Sequence, residues 1–144
     1  MNKKRGITLT SIVIYIILFF LFTSFITVLS TRLNKNLFDD RGMAINVNNV
    51  NKTEYNLLKS GNESESITIT DIDSNSKSVS FSNGDTYVFN NDSNSILKNG
   101  GILVKNVIYD ASNMTYTDNL LNVKLTFNKY LNEIERTIKI SVGV

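Results

Sequence analysis

The side chains that most often perform chemistry in proteins are scarce in this chain of 144 residues. It has no His and no Cys, so it lacks the commonest general base, the commonest transition-metal ligand and the thiolate nucleophile. Two pairs of acids remain, Glu133 with Glu135 and Asp39 with Asp40, and neither pair has an organising partner in the sequence. Because acid–base and covalent catalysis need such partners, we expect no enzymatic activity and no cofactor.

One polar segment resembles part of a calcium site. Asp71-Ile72-Asp73-Ser74-Asn75 matches the first three ligand positions of an EF-hand loop. An EF-hand also needs Gly at its sixth position and a bidentate acid at its twelfth. These positions hold Ser76 and Ser82. The sequence therefore favours a solvated polar turn, and we expect no metal site.

The most distinctive residues stand at the N-terminus, where the segment Lys3-Lys4-Arg5-Gly6 precedes a long apolar run. No charged residue follows until Arg32. As a helix, residues 7–29 would be roughly 35 Å long, enough for a bilayer core of about 30 Å. Because positive flanks stay in the cytoplasm, we expect a single-pass membrane protein whose remaining chain lies outside.

Lys4-Arg5-Gly6 followed by Ile7-Thr8-Leu9 resembles the class III leader of type IV pilins and of type II secretion pseudopilins. The resemblance implies that a prepilin peptidase cleaves between Gly6 and Ile7, and that Ile7 is then N-methylated. It also implies that the N-terminal helix rests in membrane lipid before it assembles with other pilin or pseudopilin subunits into a surface filament. In the order of its predicted elements, a stalk helix, a short helix, a hairpin and a terminal strand pair, the chain is similar to minor pilins of low-GC Gram-positive bacteria.

One position departs from the family pattern. The fifth residue after the cleavage site is usually Glu in this family, and here it is Ser11. In lipid, a new N-terminal amine favours an anionic partner, which the Glu of a neighbouring subunit supplies and a hydroxyl does not. The resemblance therefore implies leader processing and an accessory or priming position rather than a place in the repeating shaft.

Two other interpretations of the N-terminal segment remain open. A cleaved secretory signal has an apolar region of about 7–15 residues. Val28-Leu29-Ser30 is an acceptable cleavage site for such a signal. An uncleaved signal anchor would hold a surface binding module that has no part in a filament. These interpretations predict a protein that begins at Thr31 or at Met1.

The formal charge of +2 does not indicate binding to nucleic acid. Removal of Lys3, Lys4 and Arg5 with the leader leaves 12 basic against 13 acidic residues, a charge of about −1. A near-neutral ectodomain has no basic face for a phosphate backbone. We therefore expect no nucleic-acid partner.

Behind the leader at residues 1–6, apolar periodicity predicts a transmembrane and stalk helix over 7–38. The residues that recur at helical spacing are Phe22, Ile26, Leu29, Leu33 and Leu37. Asp39-Asp40-Arg41-Gly42 predicts a break, with Gly42 in a left-handed turn. Residues 39–144 are then expected to form one globular α+β ectodomain.

The ectodomain is expected to begin with a short helix over about 44–60, which starts either near Ala44 or only at Asn51. Val47, Val50 and Leu57 would lie on its buried face, and Asn51 with Glu54 would form a capping box. Lys59 and Gly61 suit its end.

From about residue 64 to 144, apolar and polar residues alternate, which predicts an antiparallel sheet with one buried and one wet face. The predicted strands cover 67–70, 78–81, 86–89, 95–98, 102–108, 114–117, 120–131 and 135–144. Asn83-Gly84 signals a tight hairpin. The hairpin residues Phe81, Gly84, Tyr87 and Phe89 resemble those of minor pilins. The sequence thus predicts an α+β fold with a long N-terminal helix before a small antiparallel sheet.

Overall fold

The computed structural model describes residues 3–129 and 132–143, with side chains from residue 8 onward. The chain divides between Phe38 and Asp39 into two compact units. The first unit carries only helix, and the second carries the rest of that helix and every described strand. The predicted α+β class is confirmed, since one long N-terminal helix precedes antiparallel β-sheets.

Helix α1 extends over Lys3–Asn62. The chain has no Pro, so no residue of this span lacks a backbone donor or forces a kink. The helix closes with bonds from Glu63 N to Lys59 O (3.1 Å) and from Ser64 N to Gly61 O (3.2 Å). This end lies close to the one that Lys59 and Gly61 predict.

The predicted break at residues 39–42 is wrong, and the separate helix predicted over 44–60 is part of α1. The capping box predicted at Asn51 and Glu54 therefore lies inside a helix. Gly42 is buried on a stripe that recurs at helical spacing, made of Gly42, Asn46, Val50, Thr53, Leu57 and Ser60. Gly42 therefore lies on the inward face of a continuous helix and not in a left-handed turn.

Val47 was expected beside Val50 and Leu57, and this is also wrong. Val47 is 44% exposed, whereas Val50 and Leu57 are 7% and 0% exposed. Polar residues complete the inward face instead, with Asn46 and Thr53 fully buried. The Thr53 hydroxyl donates a hydrogen bond to the carbonyl of Asn49, four residues earlier, so this buried donor has its partner within the helix.

The first sheet is a five-stranded antiparallel meander in the order β1-β2-β3-β4-β5. Its strands are β1 Ile67–Asp73, β2 Ser76–Phe81, β3 Thr86–Asn90, β4 Ser95–Lys98 and β5 Gly101–Lys105. The hairpin predicted from Asn83-Gly84 is confirmed, because β2 and β3 pair from Ser80 opposite Thr86. Gly84 has a φ of +95° in this turn, a conformation that Gly adopts without strain.

The second sheet is organised around β8. Its strands are β6 Val107–Tyr109, β7 Thr115–Thr117, β8 Leu120–Lys129 and β9 Asn132–Ser141. Strand β9 pairs along the length of β8, and β6 and β7 pair with different parts of the opposite side. The single strand predicted over 102–108 is wrong, because Asn106 has a φ of +58° and separates β5 from β6 in the other sheet.

The core follows the alternation that the sequence predicts. In β8, four side chains are fully buried, namely Leu121, Val123, Leu125 and Phe127, and polar residues between them face outward. Ile138 and Ile140 of β9 stand opposite Val123 and Leu121 and are also buried. One face of this sheet is therefore apolar and the other is wet.

Candidate functional site

The first candidate site is the apolar part of α1. Among the described residues from 9 to 29, every large apolar side chain is between 45% and 72% exposed. The exposed residues lie all around the helix rather than on one stripe, and they include Tyr15, Phe19, Phe20, Phe22 and Phe25. A helix that is apolar on every side requires a nonaqueous or protein environment.

By length and composition, α1 can cross a membrane. No charged residue lies between Arg5 and Arg32, and the apolar segment is not buried by the rest of the chain. A signal sequence near an N-terminus has the same properties. A buried core helix does not, because its apolar face would be covered by the rest of the chain.

Three hydroxyl groups along this helix donate hydrogen bonds to its own backbone. Thr23 Oγ1 donates to Phe19 O at 2.8 Å, and Thr27 and Thr31 donate to the carbonyls four residues before them, both at 2.9 Å. In lipid such bonds satisfy a hydroxyl without a partner helix. The hydroxyl donors of these three residues are therefore already hydrogen-bonded, which lowers the cost of placing them in a membrane.

The residues predicted to direct processing lie at the start of α1. Lys3-Lys4-Arg5-Gly6 and Ile7 belong to the helix, but their side chains lie outside those the structure describes. Ser11 is half-buried on α1. The cleavage position, the methylation of Ile7 and the assembly role of position 11 therefore stay predictions.

The second candidate is a polar cluster in the ectodomain that joins α1 to strands β3 and β4. We call it the Asp85 cluster, and its members are Asn56, Ser60, Asp85, Tyr87, Lys98 and Asn99. Asp85 Oδ2 accepts hydrogen bonds from Ser60 Oγ (2.5 Å) and Lys98 Nζ (2.9 Å), and Oδ1 accepts one from Asn99 Nδ2 (2.9 Å). The carboxylate thus has donors from the helix, from β4 and from the following turn.

Tyr87 completes the link to the helix. Its hydroxyl lies 2.8 Å from Ser60 Oγ and 3.0 Å from the carbonyl of Asn56, to which it donates. The Lys98 ammonium lies 5.3 Å from the centre of the Tyr87 ring, within cation–π range. Tyr87 and Ser60 are both 0% exposed, so the two hydroxyls are sealed from solvent.

The electrostatics of the cluster follow from these bonds. The hydrogen bond from Ser60, then that from Asn99, lowers the pKa of Asp85 well below its usual range, against the effect of burial. Burial works against the charged form of Lys98, but the hydrogen bonds and electrostatic interactions with Asp85 and Tyr87 together outweigh it, and the pKa of Lys98 is raised. The pair is therefore charged across the physiological range.

This arrangement is suited to holding structure rather than to catalysis. The two hydroxyls are occupied and inaccessible, and the carboxylate is held as a weak base by its donors. The sequence offered no signal for the cluster, because Ser60 and Asp85 are 25 residues apart and Asp85 and Asn99 are 14 apart.

Replacing Asp85 with Asn is expected to destabilise the ectodomain at neutral pH and to have a smaller effect at low pH. Because the folded pKa of Asp85 lies below the ordinary value of 3.8, its ionised form stabilises the fold fully above that pH. This contribution is lost as pH falls below 3.8 toward the folded pKa. Urea unfolding of both proteins from pH 7 to pH 2.5 measures it, and a constant difference would contradict the prediction.

The remaining acids form no metal site in the part of the chain that the structure describes. In the EF-hand-like segment, Asp71 pairs with Lys77 at 3.1 Å, and Asp73 Oδ1 accepts a hydrogen bond from Asn75 N at 2.8 Å. Of the acid pair in β9, Glu135 lies 3.3 Å from Lys124. These contacts are those of solvated surface side chains.

No protein-family profile, no characterised protein and no solved structure matches this chain.

Proposed function

We propose that this chain is a minor pilin or pseudopilin, a non-enzymatic accessory subunit of a type IV pilus or a type II secretion-like filament. The observation that carries the proposal is the apolar segment of α1, exposed on every side of the helix, behind the basic leader Lys3-Lys4-Arg5-Gly6. Such a segment requires lipid before assembly and protein after it. The proposed partners are the prepilin peptidase, membrane lipid and other pilin or pseudopilin subunits.

The proposed assembly exchanges one apolar environment for another. In lipid, helix association gains little from the hydrophobic effect and depends on packing and hydrogen bonds, so transfer between membrane and filament is close to balanced. Head-to-tail contacts between subunits extend without closing, which generates a filament. The Thr23, Thr27 and Thr31 side chains suit this exchange, since their hydroxyls already donate within the helix.

Ser11 limits which position in a filament the subunit would occupy. A shaft subunit needs an anionic group for the N-terminal amine of its neighbour, and Ser11 offers only a hydroxyl. An accessory or priming subunit at a filament tip is the position that best fits this residue.

The proposal is tested by the N-terminal residue and the intact mass of the protein purified from its native membranes. We expect the chain to begin at Ile7 and to carry one methyl group on its amine. A chain beginning at Met1 would identify an uncleaved signal anchor, and one beginning at Thr31 a secreted domain. Either result would remove the pilin proposal.

A further inference from the structure

Two Asn-Gly dipeptides occupy hairpin turns of the first sheet. Asn83-Gly84 connects β2 to β3, and Asn99-Gly100 connects β4 to β5. Because Gly has no side chain to shield its backbone nitrogen, that nitrogen can attack the carboxamide of a preceding Asn. The two dipeptides have the same chemistry, so any difference in reactivity comes from how the fold holds each Asn.

The fold holds both ends of the Asn99 side chain. Its Oδ1 accepts a hydrogen bond from Thr86 N at 2.8 Å, and its Nδ2 donates to Asp85 Oδ1 at 2.9 Å. Both partners belong to the start of β3 or the turn before it. The carboxamide carbon is therefore fixed toward β3 and cannot reach the nitrogen of Gly100 unless both bonds break.

Asn83 is held less firmly. Its Oδ1 accepts one hydrogen bond, from Asp85 N at 2.9 Å, and within the described residues its Nδ2 has no acceptor. Asn83 and Gly84 are exposed, and a side chain at Gly84 would meet nothing within 4 Å, so water reaches the turn. The Gly84 nitrogen donates to Phe81 O at 3.0 Å, and this turn bond must open before attack.

We propose that Asn83 is a site of spontaneous deamidation in the folded protein and that the Asp85 cluster protects Asn99. Hydroxide removes the proton of the Gly84 backbone nitrogen. That nitrogen then forms a bond to the carboxamide carbon of Asn83. The Nδ2 group leaves as ammonia after taking a proton from water, and a cyclic imide remains. Water then adds to one of the two imide carbonyls and opens the ring to aspartate or isoaspartate.

The product would disturb more than the turn. Isoaspartate inserts one extra carbon into the backbone beside Asp85, whose amide bonds Asn83 Oδ1 and whose carbonyl accepts from Phe81 N at 2.8 Å. A shift of Asp85 loosens its bond to Ser60 on α1. Modification of an exposed turn would thus weaken the attachment of the helix to the sheet.

The test compares the two sites within one protein. Full-length protein in detergent is incubated at pH 8.5 and 37 °C, folded or in urea, and peptide mapping by mass spectrometry follows the conversion of Asn83 and Asn99. In urea we expect similar rates, because both residues precede Gly. In the folded protein we expect Asn83 to convert roughly tenfold faster than Asn99, because two hydrogen bonds hold the side chain of Asn99 and one holds that of Asn83.

A variant separates protection by the cluster from any other difference between the turns. Asp85→Ala removes the acceptor of Asn99 Nδ2, and we expect conversion of Asn99 to accelerate relative to unfolded controls of the same variant. Asn83→Ser should abolish conversion in the first turn and leave Asn99 slow. Equal rates at the two sites in the folded wild-type protein, faster conversion of Asn99, or no conversion of Asn83 would overturn the proposal.

Discussion

Replacing Gly6 with Val is expected to leave the leader attached to nearly all of the protein. In the proposed reaction a prepilin peptidase cleaves the bond between Gly6 and Ile7, and its active site must approach the backbone closely there. A branched side chain beside the bond prevents that approach, whereas Gly permits it. The intact mass of the variant from native membranes should therefore include residues 1–6, and Ile7 should carry no methyl group because its nitrogen stays in a peptide bond.

Thr10→Val is the matched control for this substitution. It also places Val near the start of α1, it nearly preserves the shape of the side chain, and it stands four residues beyond Gly6. We expect normal processing of this protein. Cleavage of the Gly6→Val chain between positions 6 and 7 would contradict the proposed function, as would equal loss of cleavage in both variants.

The strands could be predicted closely because their signal is local. Alternation in Leu121, Val123, Leu125 and Phe127 reports one buried face directly, and the Asn83-Gly84 turn follows from the φ that Gly permits. The division between β5 and β6 was not predictable in this way. Asn106 follows Lys105 between two apolar stretches and ends the strand by adopting a positive φ, a conformation that neither neighbour requires.

The helix shows why one residue type can mislead. Gly42 carries the same sequence signal whether it ends a helix or lets a helix pack closely, and only its position on the buried stripe decides between the two. That stripe contains Asn46 and Thr53 besides Val50 and Leu57. A prediction from apolar periodicity therefore left Asn46 and Thr53 out of the buried face and wrongly included Val47.

The two candidate sites differ in whether their residues lie close together in the sequence. The leader and apolar segment are contiguous in sequence, so their composition alone predicts an anchor or signal. The Asp85 cluster brings together residues from the helix, from β3 and from β4, and no spacing in the sequence connects them. Its members became related only through the topology of the first sheet.

Replacing Gly61 with Val is expected to destabilise the ectodomain by about 3 kcal/mol, at the upper end of the usual cost of overpacking a core. A Cβ atom built on Gly61 would clash with Ile140 Cγ2 and would lie 3.7 Å from Ile140 Cβ. Ile140 is fully buried in β9, and its branched side chain has little freedom to rotate. The helix and the strand must therefore separate. Urea unfolding of the full-length protein in detergent, followed by tyrosine fluorescence, measures the loss.

Gly101→Val is the control for that experiment. Gly101 lies in β5 without a positive φ, and its nearest neighbour to an added Cβ is Lys98 O at an ordinary 3.6 Å. Because Val suits a strand and meets no clash there, we expect a change within about 0.5 kcal/mol. Equal destabilisation by both substitutions would show that the contact between Gly61 and Ile140 does not limit packing.

A double-mutant cycle assigns the cost of Gly61→Val to that single contact. Ile140→Ala removes Cγ2 and alone should cost about 2–5 kcal/mol through the cavity it leaves. Combined with Gly61→Val, it supplies the space that the new side chain needs, so the double variant should be more stable than the sum of the two losses predicts, by roughly 1–3 kcal/mol. Simple additivity would mean that the Val acts elsewhere, for example by fraying the end of α1. A favourable coupling would establish that the absence of a side chain at position 61 is what allows α1 to lie against β9.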